Sequence, residues 1–465
     1  MSFLIVLAAL CFLMFVAYRG YSVILFAPIA ALGAVLLTDP ALVAPMFTGL
    51  FMDKMVGFLK LYFPVFLLAA VYRKLIEISG FSKSIVAATI KVVGAQRAML
   101  SIVLVCALLT YGGVSLFVVV FAVYPFAAEL FRQSDIPKRL VPGTIALGAF
   151  TFTMDALPGT PQIQNIIPTS FFGTTGWAAP VLGTLGGVFI LILGMSYLEW
   201  RRRVALRAGE GYGGDLRNEP EAFRGDRLAH PLIAILPLVL VGVANFAFTK
   251  LIPGFYGQSQ SFIPAVIGNP APVVQEVAKV AAIWAVQGAL LVGIVAVIAF
   301  AWKPVTASFA EGTRSAIGGA LLASMNTASE YGFGAVIAAL PGFLVVADAL
   351  KAIPDPLVNE AVSVTALAGI TGSASGGMSI ALAAMAESFI ANANAAGIPM
   401  EVLHRVAAMA SGGMDTLPHN GAVITLLAVT GLTHRQSYKD IFAITLIKTL
   451  AVFFAIGLYY ATGLV

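Results

Sequence analysis

Two aspartates stand alone in long stretches that carry no other charge. Asp155 sits in Met154-Asp155-Ala156-Leu157-Pro158 and Asp415 in Met414-Asp415-Thr416-Leu417-Pro418. A lone carboxylate in apolar surroundings must be paired, protonated or in reach of water. Two chemistries fit. The carboxylate caps the N–H groups of a half-helix that starts after the proline, or it carries a proton, because burial disfavours its charged form. Glu330, in Met325-Asn326-Thr327-Ala328-Ser329-Glu330-Tyr331-Gly332, is a third proton-coupling candidate. His419 follows Asp415 by four residues and titrates near physiological pH when unperturbed, which suits a proton relay as well as a structural role. Neutral donors and small residues surround these groups. The first half offers Thr110, Gly112, Gly113, Ser115, Thr153, Thr160, Gln162 and Asn165. The second offers Thr371, Ser373, Ser375, Gly376, Gly377, Ser379, His419 and Asn420. Hydroxyls, amides and bare backbone N–H groups hold a carboxylate or a hydroxylated chain without adding charge, although each alone can bond its own helix backbone instead.

The two sets recur in order. Tyr111-Gly112-Gly113-Val114-Ser115 matches Ser375-Gly376-Gly377-Met378-Ser379, Ile136-Pro137 matches Ile398-Pro399, and the Met-Asp-x-Leu-Pro segments match each other. The separations are 264 residues at the glycines, 262 at Ile-Pro and 260 at Met-Asp, as short loop insertions produce. Interrupted apolar segments at corresponding places in two halves point to a transporter binding site. A helix broken at membrane depth presents free N–H groups at one new end and free carbonyls at the other, which suit anions and cations respectively.

The elements that must position these residues are membrane spans. Hydrophobic residues form 60% of the 465-residue chain and charged residues 11%, against roughly 25% charged in soluble domains. Mean hydropathy is +0.95, so lipid is the expected solvent. Strong spans are Ser2–Tyr18, Ser22–Thr38, Gly57–Tyr72, Trp177–Leu198, Pro231–Thr249, Ala281–Trp302 and Ile441–Thr462. The first lacks the leading charge and small cleavage residues of a signal peptide and reads as retained. Runs near 97–129, 139–172, 361–394 and 400–431 are interrupted by Gly and Pro, which lipid-facing backbone does not tolerate. Seven arginines mark the segment Arg201–His230, placed in the cytoplasm by the positive-inside rule and read as a solvated linker. It divides a first half, 1–200, from a second, 231–465. The net charge of +5 reports topology, and without a basic stripe no nucleic-acid partner is expected. Cys11 and Cys106 lie in apolar runs and form neither a disulfide framework nor metal spacing, so no metal or cofactor is expected. His404-Arg405 and His434-Arg435 read as interfacial loop residues.

At these residues the chain resembles the gluconate permease family of proton symporters, within the ion transporter superfamily. The resemblance rests on Thr371-Gly372-Ser373-Ala374, on Ser411-Gly412-Gly413-Met414-Asp415-Thr416-Leu417-Pro418-His419-Asn420-Gly421 and the helix from Ile441, and on Leu157-Pro158-Gly159-Thr160-Pro161-Gln162. Tyr18-Arg19-Gly20-Tyr21-Ser22 is similar to the hydroxybutyrate branch. The resemblance implies an all-α polytopic membrane protein of about 11–14 membrane segments, built as two inverted-topology repeats, each with a re-entrant hairpin and a discontinuous helix. Tyr111–Ser115 and Gly372–Ser379 would be hairpin tips, and Asp155–Gln162 and Asp415–Gly421 helix breaks. It further implies a homodimer in the bacterial inner membrane. The expected function is proton-coupled symport of a small hydroxylated monocarboxylate, a gluconate-like sugar acid or 3-hydroxybutyrate. The partners are then that anion, the proton and the lipid bilayer. Sodium coupling is the nearest alternative. An anion channel would need a continuous pore lined by rings of charge or carbonyls, and the two-fold repeat with central breaks fits alternating access better. An intramembrane aspartyl protease would need its two aspartates to share a proton at contact distance, so no enzyme activity is expected.

Overall fold

Long apolar runs without charged interruptions favour helices, whose backbone is satisfied within the segment. The computed structural model describes residues 2–19, 21–94, 97–114, 116–214, 217–220, 228–263, 271–343, 345, 353–418 and 420–465. In chain order its principal helices are α1 (Ser2–Tyr18), α2 (Val23–Thr38), α3 (Met52–Ile78), α4 (Phe81–Val93), α5 (Ala98–Tyr111), α6 (Leu116–Gln133), α7 (Val141–Ala149), α8 (Ile163–Phe172), α9 (Pro180–Arg207), α10 (Pro231–Tyr256), α11 (Ala281–Phe300), α12 (Trp302–Ala339), α13 (Pro356–Thr371), α14 (Ala374–Ala395), α15 (Met400–Ser411), α16 (Gly421–Thr430) and α17 (His434–Thr462). One antiparallel hairpin, β1 (Ser259–Phe262) with β2 (Val273–Glu276), joins α10 to α11, with Ser259 opposite Glu276. Among the described residues six helical stretches are long and apolar enough to cross a membrane: Pro40–Ile78, α9, α10, α11, α14 and α17. Their outer faces carry exposed Val188, Ile192, Val243 and Val295, which lipid solvates and water does not.

Helix ends follow capping chemistry more than hydropathy. Thr433 and Gln436 form a reciprocal capping box that starts α17 well before its apolar run. Asp355 accepts from the Val358 N–H at 2.8 Å and Pro356 fills the first turn of α13. Two helical hairpins result, α5–α6 and α13–α14. Gly113 (φ +90°) and Gly372 (φ +64°) turn the chain between their arms in the left-handed region that suits glycine. Two helices are discontinuous. α7 and α8 are separated by 150–162, and α15 and α16 by 412–420.

One expectation changes here. The glycine pairs matched in sequence are not equivalent in structure. Gly112-Gly113 lies in the first hairpin turn, whereas Gly376-Gly377 lies inside the first turn of α14. There the missing side chain serves packing, since a Cβ on Gly377 would strike the backbone of Ala368 on α13. The hairpin turns themselves follow Tyr111 and Thr371, 260 residues apart, the offset also seen between Met154 and Met414.

The halves interlock reciprocally. α5 packs on α7 and α13 on α15 within each half, while α6 packs on α16 and α14 on α8 across them. A second group, α3 with α11 and α12, and α10 with α11, flanks this assembly.

The described part of Arg201–His230 is docked, unlike the solvated linker expected. Glu219 pairs with buried Lys138 at 2.6 Å, Lys138 also donates to the Arg217 carbonyl at 2.6 Å, and the Asn218 amide donates to the Ala428 carbonyl at 2.8 Å. Glu210 takes a bidentate contact from Arg139 at 2.6 and 2.7 Å. The Arg139 guanidinium holds the Glu210 carboxyl below its usual range. A depressed carboxylate contributes stability above its unfolded pKa and loses it as pH falls through the folded value. Because Glu210 is 40% exposed, the effect is expected to be below about 1 kcal/mol. Thermal unfolding in detergent should therefore show a small fall in Tm as pH drops below about 4.3, and Glu210→Gln should flatten that part of the profile. An identical acid limb in the variant would remove this contact from the pH response.

Candidate functional site

Lys448 lies in an otherwise apolar stretch of α17, with its side chain only 2% exposed. Its ammonium donates to the Asp415 carboxylate and to the Phe150 carbonyl at 3.1 Å. Phe150 is the first residue of the break after α7, and Asp415 belongs to the break after α15. One buried cation therefore joins both breaks. The Thr416 hydroxyl meets that of Thr445 at 2.7 Å, and Tyr438 donates to the Thr416 carbonyl at 3.1 Å, so α17 holds the second break along two turns.

A second cation works from the other side. Arg405 and His404 on α15 are both fully buried, which corrects their reading as interfacial loop residues. Arg405 donates to the Ala178 carbonyl at 2.7 and 3.2 Å, to the Asp155 carbonyl at 2.9 Å and to Asn165 Oδ1 at 3.1 Å. His404 bonds Asn165 Oδ1 at 3.2 Å and the Thr174 hydroxyl at 2.6 Å. These neutral acceptors satisfy the guanidinium and pin the first break to α15. His434, by contrast, is exposed and bonds the Pro418 carbonyl at 2.9 Å.

The carboxylates diverge in role. Asp155 is 1% exposed, and its Oδ2 has no hydrogen-bond partner. It faces Gly412 of the opposite break so closely that a Cβ there would collide with it. Neither aspartate caps a half-helix. Gln162 and Asn420 occupy the N-cap positions of α8 and α16. Asn420 accepts from the Ala422 and Val423 N–H groups at 2.6 and 3.0 Å. Both amides reach back to the hairpin in their own half, Gln162 to the Thr110 carbonyl at 2.7 Å and Asn420 to the Gly372 carbonyl at 2.7 Å. Each break is thereby tied to the turn of its hairpin by the same kind of bond.

Glu330 of α12 meets the second hairpin. It is 4% exposed, and a Cβ on Gly376 would collide with its carboxylate. One turn earlier, Thr327 approaches Ser375 at 3.4 Å. Ser373 caps α14 by accepting from the Gly376 N–H at 3.1 Å. The first hairpin turn sits similarly, with Gly113 against Pro161 and Tyr72 and Gly112 against Leu238.

Of the residues expected to contact a ligand, some have no capacity left. Asn165 donates to the Thr160 and Gly176 carbonyls at 2.9 and 2.8 Å and accepts from His404 and Arg405, which exhausts an amide. Thr160 bonds the Thr153 carbonyl at 2.9 Å, and Gly377 is sealed by Ala368. Among the described residues, buried atoms with spare capacity include the hydroxyls of Ser379, Thr110, Ser329 and Tyr72, Gln164 Oε1, Trp177 Nε1, Asp155 Oδ2 and both carboxylate oxygens of Glu360. Ser115 and His419 lie outside the described residues. Sequence reading missed Arg405, Lys448, Tyr72 and Gln164. A lone lysine inside the apolar run from Ile441 was the available signal for Lys448.

Over 474 aligned residues that cover all of both chains, the sequence is 60% identical to the uncharacterized transporter YxjC of Bacillus subtilis (strain 168). The chain belongs to that transporter's family. The fold is similar to the crystal structure of the Alcanivorax borkumensis YdaH transporter, described as having an unusual topology. The TM-score is 0.53 at 16% identity, over 92% of this chain and 90% of that one. At such identity the likeness concerns fold alone: an all-α polytopic membrane architecture with discontinuous helices. No protein-family model matches the chain. This protein is thus a multi-pass membrane transporter and not an enzyme. The Asp415 carboxylate is engaged by Lys448.

Breaking a buried ion pair from one side leaves an uncompensated group and costs about 3–5 kcal/mol, whereas removing both partners costs far less. Asp415→Asn and Lys448→Met should each lower Tm markedly in detergent, and the double variant should lose much less than their sum. Additive losses would show that the two side chains do not depend on each other.

Proposed function

We propose that this transporter carries a small hydroxylated monocarboxylate, a gluconate-like sugar acid or 3-hydroxybutyrate, across the bacterial inner membrane by symport with protons. The observation that carries the proposal is the meeting of two helix breaks around buried carboxylates, with neutral hydroxyl and amide groups at both hairpin turns. Fixed positive charge at the centre is already committed, Lys448 to Asp415 and Arg405 to carbonyls. The anion is then held by hydroxyls and by the N–H end of α8, which has no side-chain cap and whose partial positive charge favours carboxylates. Ser375 and Ser379 of the second hairpin, with Thr110 and Gln162 of the first, are the side chains assigned to it. The transporter name of the 60% identical relative supports the class of function, and the motif resemblance to gluconate permeases supports the substrate.

Proton coupling is assigned to Asp155 and Glu330. Asp155 Oδ2 is buried without a partner, and Glu330 is buried against Gly376 in the first turn of α14. Asp415 fixes the break through Lys448. In this reading the two halves act as inverted repeats: the α5–α6 hairpin is assigned arms that open toward the docked basic loop, where Lys138 pairs with Glu219, and the α13–α14 hairpin the opposite orientation. A homodimer with an elevator-like movement of the interlocked hairpins and breaks against α3, α10, α11 and α12 completes the reading.

Proteoliposomes tested with radiolabelled acids from acetate to hexonate size should accumulate a hydroxylated monocarboxylate when the outside is acidic. Asp155→Asn or Glu330→Gln should abolish accumulation while sparing exchange of labelled for unlabelled acid. Transport of an amino acid or a cation alone would refute the substrate class. Accumulation retained in both variants would refute the assignment of the proton.

A further inference from the structure

α3 and α12 pack along each other in opposite directions, with Gly312 against Ile78 and Gly332 against Phe51, and small residues on both line the space beside their contact. Ala70 on α3 and Ala316, Gly319 and Ala323 on α12 help line a cavity of about 480 Å³ near the Ile78 end of α3. Arg73, Lys74 and Asn326 project into it. Lys74 is neutralised by Glu77 at 2.8 Å. Arg73 has no hydrogen bond or ion pair among the described residues, so the cavity keeps one uncompensated guanidinium. A charged side chain within a membrane helix is costly and calls for a partner.

The cavity leads somewhere specific. Asn326 and Glu330 are four residues apart on α12 and therefore share a face one turn apart. That turn is covered by the second hairpin, through Ser375 at Thr327 and Gly376 at Glu330. On the far side of the same turn, Tyr331 lines another cavity of about 490 Å³ with Lys54, Lys60 and Tyr62. The two cavities are thus separated by the residues Thr327–Glu330 and their hairpin cover. The Arg73 cavity lies on the side of the basic loop, because α4 follows directly on α3 and its Ser84 donates to the Ala229 carbonyl at 2.6 Å.

We propose that this cavity is the loop-side vestibule of the transport path and that Arg73 is its carboxylate anchor. The planar guanidinium binds the anion in bidentate fashion before it reaches the Glu330–Gly376 contact. The inference rests on the monocarboxylate reading above and adds a binding residue outside both repeats. Its signature is sidedness, since only one face of the membrane opens onto Arg73.

Inverted and right-side-out membrane vesicles expressing the protein, supplied with labelled gluconate or 3-hydroxybutyrate, measure KM on each face. Arg73→Gln should raise KM by about tenfold or more in inverted vesicles, where the loop side faces the medium. In right-side-out vesicles KM should stay within about twofold, which also shows that the variant is folded. Arg73→Lys should lie between, having charge without the fork. An unchanged KM in inverted vesicles would overturn the proposal. So would an equal loss on both faces that added anionic lipid restores, which would assign Arg73 to a headgroup phosphate. If wild-type vesicles carry neither acid in either direction, the substrate class fails and the anchor with it. That result is distinct, because no KM exists to compare.

Discussion

The ammonium of Lys448 is the constraint on which the rest of the structure depends. A helix broken inside a membrane leaves backbone groups that lipid cannot satisfy, and two such breaks meet here. Lys448 answers one group from each, the Phe150 carbonyl and the Asp415 carboxylate. Arg405 does the same from α15 for the carbonyls of Asp155 and Ala178. These are buried charges used as fixed hydrogen-bond donors, a role in which removal of one partner is far more damaging than the net value of the pair.

Once the cations are committed, the geometry of everything nearby follows. A side chain at Gly412 would displace the Asp155 carboxylate, and one at Gly376 the Glu330 carboxylate. The N-cap amides Gln162 and Asn420 link each break to its hairpin, so a hairpin turn cannot move without its break. The interlocking of α6 with α16 and α14 with α8 joins the two halves into one unit. Against that unit, α3 and α12 present a face with uncommitted polar groups, Arg73 and Asn326 among them.

Much of this was legible in sequence where local chemistry decides it. α1 has the expected ends Ser2 and Tyr18, and α2 ends at Thr38 as expected, because hydropathy and the flanking residues agree there. Gly112-Gly113, Pro158 and Pro418 marked the irregular backbone because no continuous helix accommodates them. What was not legible is tertiary. Leu403-His404-Arg405 reads as a polar surface until a carbonyl at Ala178, 227 positions away, is brought to Arg405. The repeated glycine pair suggested equivalent turns, yet Gly377 is small for Ala368 and Gly376 for Glu330. Spacing alone cannot separate a turn glycine from a packing glycine. The aspartates looked like caps, but asparagine and glutamine hold those positions, leaving Asp155 without a partner for its Oδ2. Docking of the basic segment onto Lys138 and the end of α16 was equally invisible, since it depends on where Glu219 and Asn218 fall in space.

The most direct test of a proton-coupled site built from both breaks is the lumenal pH of lightly buffered proteoliposomes on addition of gluconate, which crosses protein-free bilayers poorly. Wild-type protein should acidify the lumen in sodium-free medium, and protein-free liposomes should show no such change. Uptake of gluconate with a steady lumenal pH and an absolute requirement for sodium would contradict the coupling described here.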